Sequence, residues 1–259
     1  MGWNKRNRSR YIIASGGRSG TGLLAHALWS TGVLGKPEEY FNEADLAAHA
    51  HRWHVNTPET EADSAPYLKA YKNASSTRNG VSGLKVMTGS LSTIGQLIGT
   101  EAAATPTEIL LALGITMMFL VVREDRIAAA MSTWRAQQTG EFKRFEGAEP
   151  VSSEDFGTPS DETIQGLLND SYWAETQWNS VDPERIAVHK FVYEDFSEDV
   201  PGTVAQIADH LGVRRPEVPP DARLPVRIQD DHFAKVITEY KQRHPHDPPR
   251  SIPPPPDRH

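Results

Sequence analysis

Seven consecutive residues, Gly16-Gly17-Arg18-Ser19-Gly20-Thr21-Gly22, carry the strongest chemical signal in the chain. They follow the apolar run Tyr11–Ala14 and precede Leu23, Leu24, Ala27 and Leu28, which recur at helical spacing. A strand, a glycine-rich turn and a helix together form an anion site. The first N–H groups of a helix lack intrahelical partners, and the helix dipole is positive at that end. Glycine lets the backbone approach a phosphate closely. Arg18 adds a charged fork, and Ser19 and Thr21 add hydroxyl donors.

Three readings of this turn stand side by side. A nucleotide-hydrolysing P-loop requires GxxxxGK[ST]. Gly17 and Gly22 have that spacing, but Leu23 and Leu24 replace the phosphate-binding lysine and the magnesium-binding hydroxyl. ATP or GTP hydrolysis is therefore disfavoured. A dinucleotide fold could use Gly20-Thr21-Gly22-Leu23-Leu24-Ala25 as GxGxxA, with a ribose-binding acid ending a second strand about 20 residues on. Glu38 and Glu39 lie near that distance, but Gly35 and Pro37 spoil the strand before them. The third reading is a tight turn that binds nothing.

Further candidates lie downstream. Arg123 ends the run Met117-Met-Phe-Leu-Val-Val122, at the carboxyl edge where open α/β sheets bind ligands. In the helix that follows, Ile127, Ala130, Met131 and Trp134 form an apolar face. Ser132 lies about 140° around the helix from Ile127, at roughly 100° per residue, and is free to face a ligand. Glu38 and Glu39 are adjacent, so only one should point into a site; a helix N-terminal acid pair after Pro37 is the bland alternative. His49, His51 and His54 cluster without a metal-binding motif and read as a solvated loop.

The elements that must position these residues form an α/β pattern. Strands are expected at Tyr11–Ala14, Gly83–Met87, Met117–Val122 and Ile186–Val192, and helices after residue 22, after residue 126, over 163–178 and over Gly202–Leu211, the last stopped by Gly212. Residues 42–80 read as a polar, variable lid with some helix near Tyr67–Lys72, and residues 139–162 as loop. Strands alternating with helices predict a P-loop-like three-layer fold, a mainly parallel sheet covered by helices. The length of 259 residues suits one domain over 1–245. Residues 246–259 hold four successive prolines and read as a disordered tail.

Composition excludes several function classes. The net charge of −7 offers no basic field for nucleic acid. No apolar stretch approaches a transmembrane span or a signal-peptide core. The absence of cysteine removes disulfides, thiolate chemistry and thiolate zinc sites, and fits a cytoplasmic location.

Ser15-Gly-Gly-Arg18-Ser19-Gly20-Thr21 resembles the 5′-phosphosulfate loop of sulfotransferases that use 3′-phosphoadenosine 5′-phosphosulfate (PAPS), and in particular that of bacterial trehalose 2-sulfotransferases and their relatives. Thr31-Gly32-Val33 and Gly35-Lys36-Pro37-Glu38-Glu39-Tyr40-Phe41 resemble the segment after that family's first helix. Asn79–Met87 is similar to its second-strand region, Arg123-Glu124-Asp125, Ser132 and Trp134–Gln138 to its 3′-phosphate strand and helix, and Tyr193-Glu194-Asp195-Phe196 to a late segment. The resemblance implies a PAPS-dependent enzyme acting on a carbohydrate or glycolipid-like hydroxyl, with no metal, as a homodimer. It implies that Gly17, Arg18, Ser19, Gly20, Thr21 and Gly22 cradle the 5′ end of PAPS, that Arg123 and Ser132 take the 3′-phosphate, and that Tyr193 lies near adenine. Glu39 is implied as general base and Arg18 as stabiliser of the leaving phosphate; Glu38, Lys36, Lys85 and Arg135 fall on the acceptor side. Gly22 stands where that family carries Ser or Thr. A non-catalytic phospho-nucleotide binder and a nucleotide-dependent kinase or dehydrogenase remain as alternative readings.

Overall fold

The computed structural model describes residues 9–149, 151, 157–228 and 231–245. The proline-rich segment expected to be a disordered tail lies outside the described residues. Four strands, β1 (Arg10–Ser15), β2 (Ser82–Met87), β3 (Met117–Val122) and β4 (Ala187–Val192), form one parallel sheet in the order β2-β1-β3-β4. Each expected strand is present to within a residue or two. Period-two alternation divides β1 between the two faces: Ile12 and Ala14 pack on one side, Tyr11 and Ile13 on the other. All four are fully buried, which is why the run reads as continuously apolar.

Helices cover both faces. On the Ile12 side lie α2 (Leu46–Trp53), α3 (Glu61–Ala74), α4 (Ser90–Ile98) and α5 (Pro106–Leu113). On the Tyr11 side lie α1 (Thr21–Ser30), the short α8 (Tyr193–Phe196) and α9 (Val200–His210). A third cluster joins α6 (Arg126–Thr139), α7 (Asp161–Asn179) and α10 (Asp231–Arg243) through Met131, Trp134, Leu168 and Phe233.

Two sequence expectations need correction. Residues 42–80 are not a loop with one short helix. A 3₁₀ turn, Glu43–Asp45, leads into α2, and α3 begins at Glu61 behind a Thr60/Asp63 capping box. His49 is not solvated: it is buried on α2, stacked on Trp53 at 5.2 Å and packed against Tyr40, while His51 and His54 are exposed. Helices α4 and α5 lie where no element was expected. Helix α5 has a legible start, Thr105-Pro106-Thr107-Glu108, in which the Thr105 hydroxyl accepts from the Glu108 amide and Glu108 accepts from the Thr105 amide.

Candidate active site

The loop between β1 and α1 coils its backbone into the left-handed region three times: φ is +103° at Gly17, +49° at Arg18 and +76° at Gly20. Such a run turns successive N–H groups toward a common concavity. Arg18 is not glycine, so its conformation costs about 1–2 kcal/mol and must be held by its surroundings. The hold is visible. Arg123 donates from Nη1 to the Arg18 carbonyl at 3.2 Å. The Arg18 guanidinium donates from Nε to Ser132 Oγ at 2.9 Å and from Nη1 to the Phe142 carbonyl at 2.6 Å. Below the loop, Trp178 Nε1 donates to the Ser15 carbonyl at 3.0 Å.

Gly20 cannot carry a side chain. A Cβ there would come within 2.3 Å of Tyr193 Cδ2. Tyr193 lies flush on the loop and under the Arg123 guanidinium, 5.0 Å from the ring centroid. Arg123 itself is set by the turn after β3. Asp125 caps α6 by accepting from the Ala128 amide at 3.0 Å, and Glu194 accepts from the amides of Glu124 and Asp125. Glu194, not Asp125 or Glu124, is the carboxylate nearest Arg123, at 3.9 Å from Nε, too far for a hydrogen bond. The Arg123 Nε is buried without a hydrogen-bond partner.

Glu39 arrives from the segment after α1. Gly35, at φ +82°, packs where a Cβ would meet the Gly83 amide at 2.6 Å, and Lys85 donates its amide to the Glu38 carbonyl at 3.1 Å. The segment therefore runs extended along β2 and is not the start of a helix. Its two acids point apart, as adjacent extended residues must. Glu38 faces Arg52 at 3.6 Å, whereas Glu39 accepts from Lys85 Nζ through Oε1 at 2.5 Å. Burial pushes the Lys85 ammonium below its usual range, and Glu39 opposes that shift.

One cleft of about 1340 Å³ brings these groups together. Gly17, Arg18, Gly20, Thr21 and Gly22 line it from the loop side. Arg123, Ser132, Arg135 and Tyr193 line it from the β3 and β4 side, and Glu39 and Lys85 from the β2 side. Three expected residues are placed elsewhere. Ser19 is buried and its hydroxyl donates to the Gly17 carbonyl at 3.0 Å, bracing the loop itself. Glu38 and Lys36 do not line the cleft; the Lys36 amide donates to Ser75 and its carbonyl accepts from the Tyr40 hydroxyl. Arg135 is buried and donates to Glu141 Oε2 at 2.7 Å.

The donor set suits a multiply charged anion. Burial lowers the affinity of Arg18 for its proton, and the charges of Arg123 and Arg135 lower it further. Burial likewise lowers Arg123. Guanidiniums remain charged at such sites, so these cations repel one another until an anion lies between them. The unpartnered Arg123 Nε and the left-handed loop suit phosphate or sulfate groups. Sequence reasoning missed the segment Glu141–Phe145, which covers the loop through Phe142 and Lys143. Nothing in its spacing marks it, because its role comes from folding back.

Residues 10–243 match the family model of the Stf0 sulphotransferases, and the chain belongs to that family. Sulfuryl transfer is therefore its chemistry. The crystal structure of a sulfotransferase from Alicyclobacillus acidocaldarius is similar in fold, at 14% identity and a TM-score of 0.50, with 91% of this chain and 94% of that chain covered. The sulfotransferase domain from the Synechococcus PCC 7002 olefin synthase aligns at 13% identity with a TM-score of 0.39, covering 95% of this chain and 98% of that one. No curated protein sequence matches the chain.

Proposed function

We propose that the chain transfers a sulfuryl group from PAPS to a hydroxyl of a carbohydrate or glycolipid-like acceptor, with Glu39 as general base. The observation that carries this reading is the single cleft holding an anion loop at one end and the Glu39–Lys85 pair at another. When bound, PAPS would supply an electrophilic sulfur joined to a phosphate that leaves readily. Gly20, Thr21 and Gly22 would hold its 5′ end through backbone donors, with Gly17, whose own amide donates to Ser15 Oγ, shaping the turn, and Arg123, with Ser132 beside it, would hold the 3′-phosphate.

An alcohol is a poor nucleophile at neutral pH and must lose its proton as the new O–S bond forms. Lys85 fixes Oε1 of Glu39, so Oε2 takes the acceptor's proton. The S–O bond to the leaving phosphate breaks as the O–S bond to the acceptor forms. Arg18 and the loop amides stabilise the charge that builds on the leaving oxygen, so no general acid is required. Ser132 orients Arg18 through Nε.

A transfer assay tests this reading: PAPS is incubated with sugars, glycolipids and simple alcohols, and products are read by mass. Because Leu23 and Leu24 offer no magnesium ligand at the loop, sulfated product should form equally well in EDTA. Loss of activity on chelation, restored by magnesium, would favour a kinase-like reaction instead.

A further inference from the structure

We propose that Lys143 supplies, from the segment after α6, the ammonium that a phosphate-binding loop ordinarily supplies from its own end. In a P-loop the lysine directly follows the last glycine and reaches the terminal phosphates. Here Leu23 follows Gly22, and Leu23 packs with the α1 core cluster. The loop therefore ends without a cation of its own. The nearest atom to a Cβ built on Gly22 is Lys143 Cε, at 3.9 Å. The two residues line the same cleft, together with Arg18, Glu39 and Lys85.

The backbone around Lys143 is fixed, so its position is not that of a wandering surface lysine. Gly140, at φ +70°, ends α6 and turns the chain back. The Phe142 carbonyl takes a hydrogen bond from Arg18, and the Val226 amide donates to the Arg144 carbonyl at 2.9 Å. Phe145 packs edge-on against His26 at 5.2 Å and carries Arg223 over its ring. The field at the site agrees with this placement. Burial lowers Lys85 and His26, and the Lys143 charge adds to both shifts. Among the described residues no carboxylate pairs with Lys143. Among the described residues its ammonium is thus unpaired, held by a braced segment over the α1 end of the loop, where the loop itself supplies no cation beyond Arg18.

This inference rests on the reading that the loop holds the 5′ end of PAPS. Lys143 would then touch the 5′-phosphate and act as a catalytic residue beside Arg18. The exposed side chain can be changed without disturbing the core. Calorimetric titration of adenosine 3′,5′-bisphosphate (PAP) and of adenosine 3′-monophosphate into the wild type, Lys143→Ala and Lys143→Arg tests it. Lys143→Ala should weaken PAP binding about ten- to a hundredfold, the size of a charge-assisted contact. It should leave 3′-monophosphate affinity and the unfolding temperature unchanged, and Lys143→Arg should stay near wild type. If the wild type binds PAP and Lys143→Ala binds it equally well, or if both nucleotides lose equally, the inference fails while the donor reading stands. If the wild type does not bind PAP at all, both fail together.

Discussion

Glu39 carries the mechanistic weight at the scale of the residue. Its neighbour Glu38 has the same charge and nearly the same place in sequence, yet faces Arg52 outside the cleft. The pair is therefore an internal control. Glu39→Gln keeps shape and removes basicity, and should slow transfer by about 10²–10⁴. PAP affinity should hardly change, since the side chain lies on the β2 side of the cleft, across from Arg123 and Ser132. Glu38→Gln should transfer at close to the wild-type rate. Single-turnover rates for the two variants check this, and the reverse ranking would displace Glu39 as the base. Sequence alone narrowed the choice, because adjacent extended side chains diverge. It did not reveal Lys85 Nζ on Oε1, which depends on residues 46 positions apart meeting across a register.

At the scale of the element, the loop between β1 and α1 and the short helix α8 act as one unit. Gly20 has both a left-handed backbone, φ +76°, and the Tyr193 ring where a Cβ would stand. Gly20→Ala must pay about 1–2 kcal/mol for the backbone alone, and Tyr193 must also move. Each kcal/mol lowers the unfolding temperature of a chain this size by roughly 2–4 °C. Displacing Tyr193 also moves Arg123, so PAP affinity should fall with stability. Gly22→Ala is the contrast: Gly22 lies in α1, and its Cβ would make only ordinary contact. It should raise the unfolding temperature by about 1–4 °C, because alanine costs the unfolded chain less entropy than glycine. Denaturation curves and PAP titrations of the two variants check the pair; equal stability would mean that Tyr193 does not bear on the loop. The strands were legible because Tyr11–Ala14 in β1 and all of β3 are uninterrupted apolar runs, with four fully buried apolar residues in β1 alone. Helix α2 was not, since Leu46, His49 and Ala50 bury a face that a polar, His-rich composition disguises.

The whole molecule carries a net charge of −7, yet Arg18, Arg123, Arg135 and Lys85 converge on one cleft, with Lys143 at its edge. The overall sign excluded an extended nucleic-acid surface but could not reveal a focused cationic pocket, because clefts concentrate field lines that a sum over the chain averages away. The fold was readable from strand and helix alternation, and the loop, Arg123 and Ser132 from their places at strand ends and on a helix face. The segment Glu141–Phe145 was not, because its contact with Arg18 spans 124 positions. The central claim is that this pocket binds a nucleotide phosphorylated at both the 3′ and 5′ positions. It is tested most directly by calorimetric titration of PAP against adenosine 5′-monophosphate, which needs no knowledge of the acceptor. Loss of a charge-assisted contact to the 3′-phosphate costs about 1.5–3 kcal/mol, so PAP should bind about ten- to a hundredfold more tightly. Equal affinity for the two nucleotides would contradict the roles assigned to Arg123 and Ser132, and with them the account of the site.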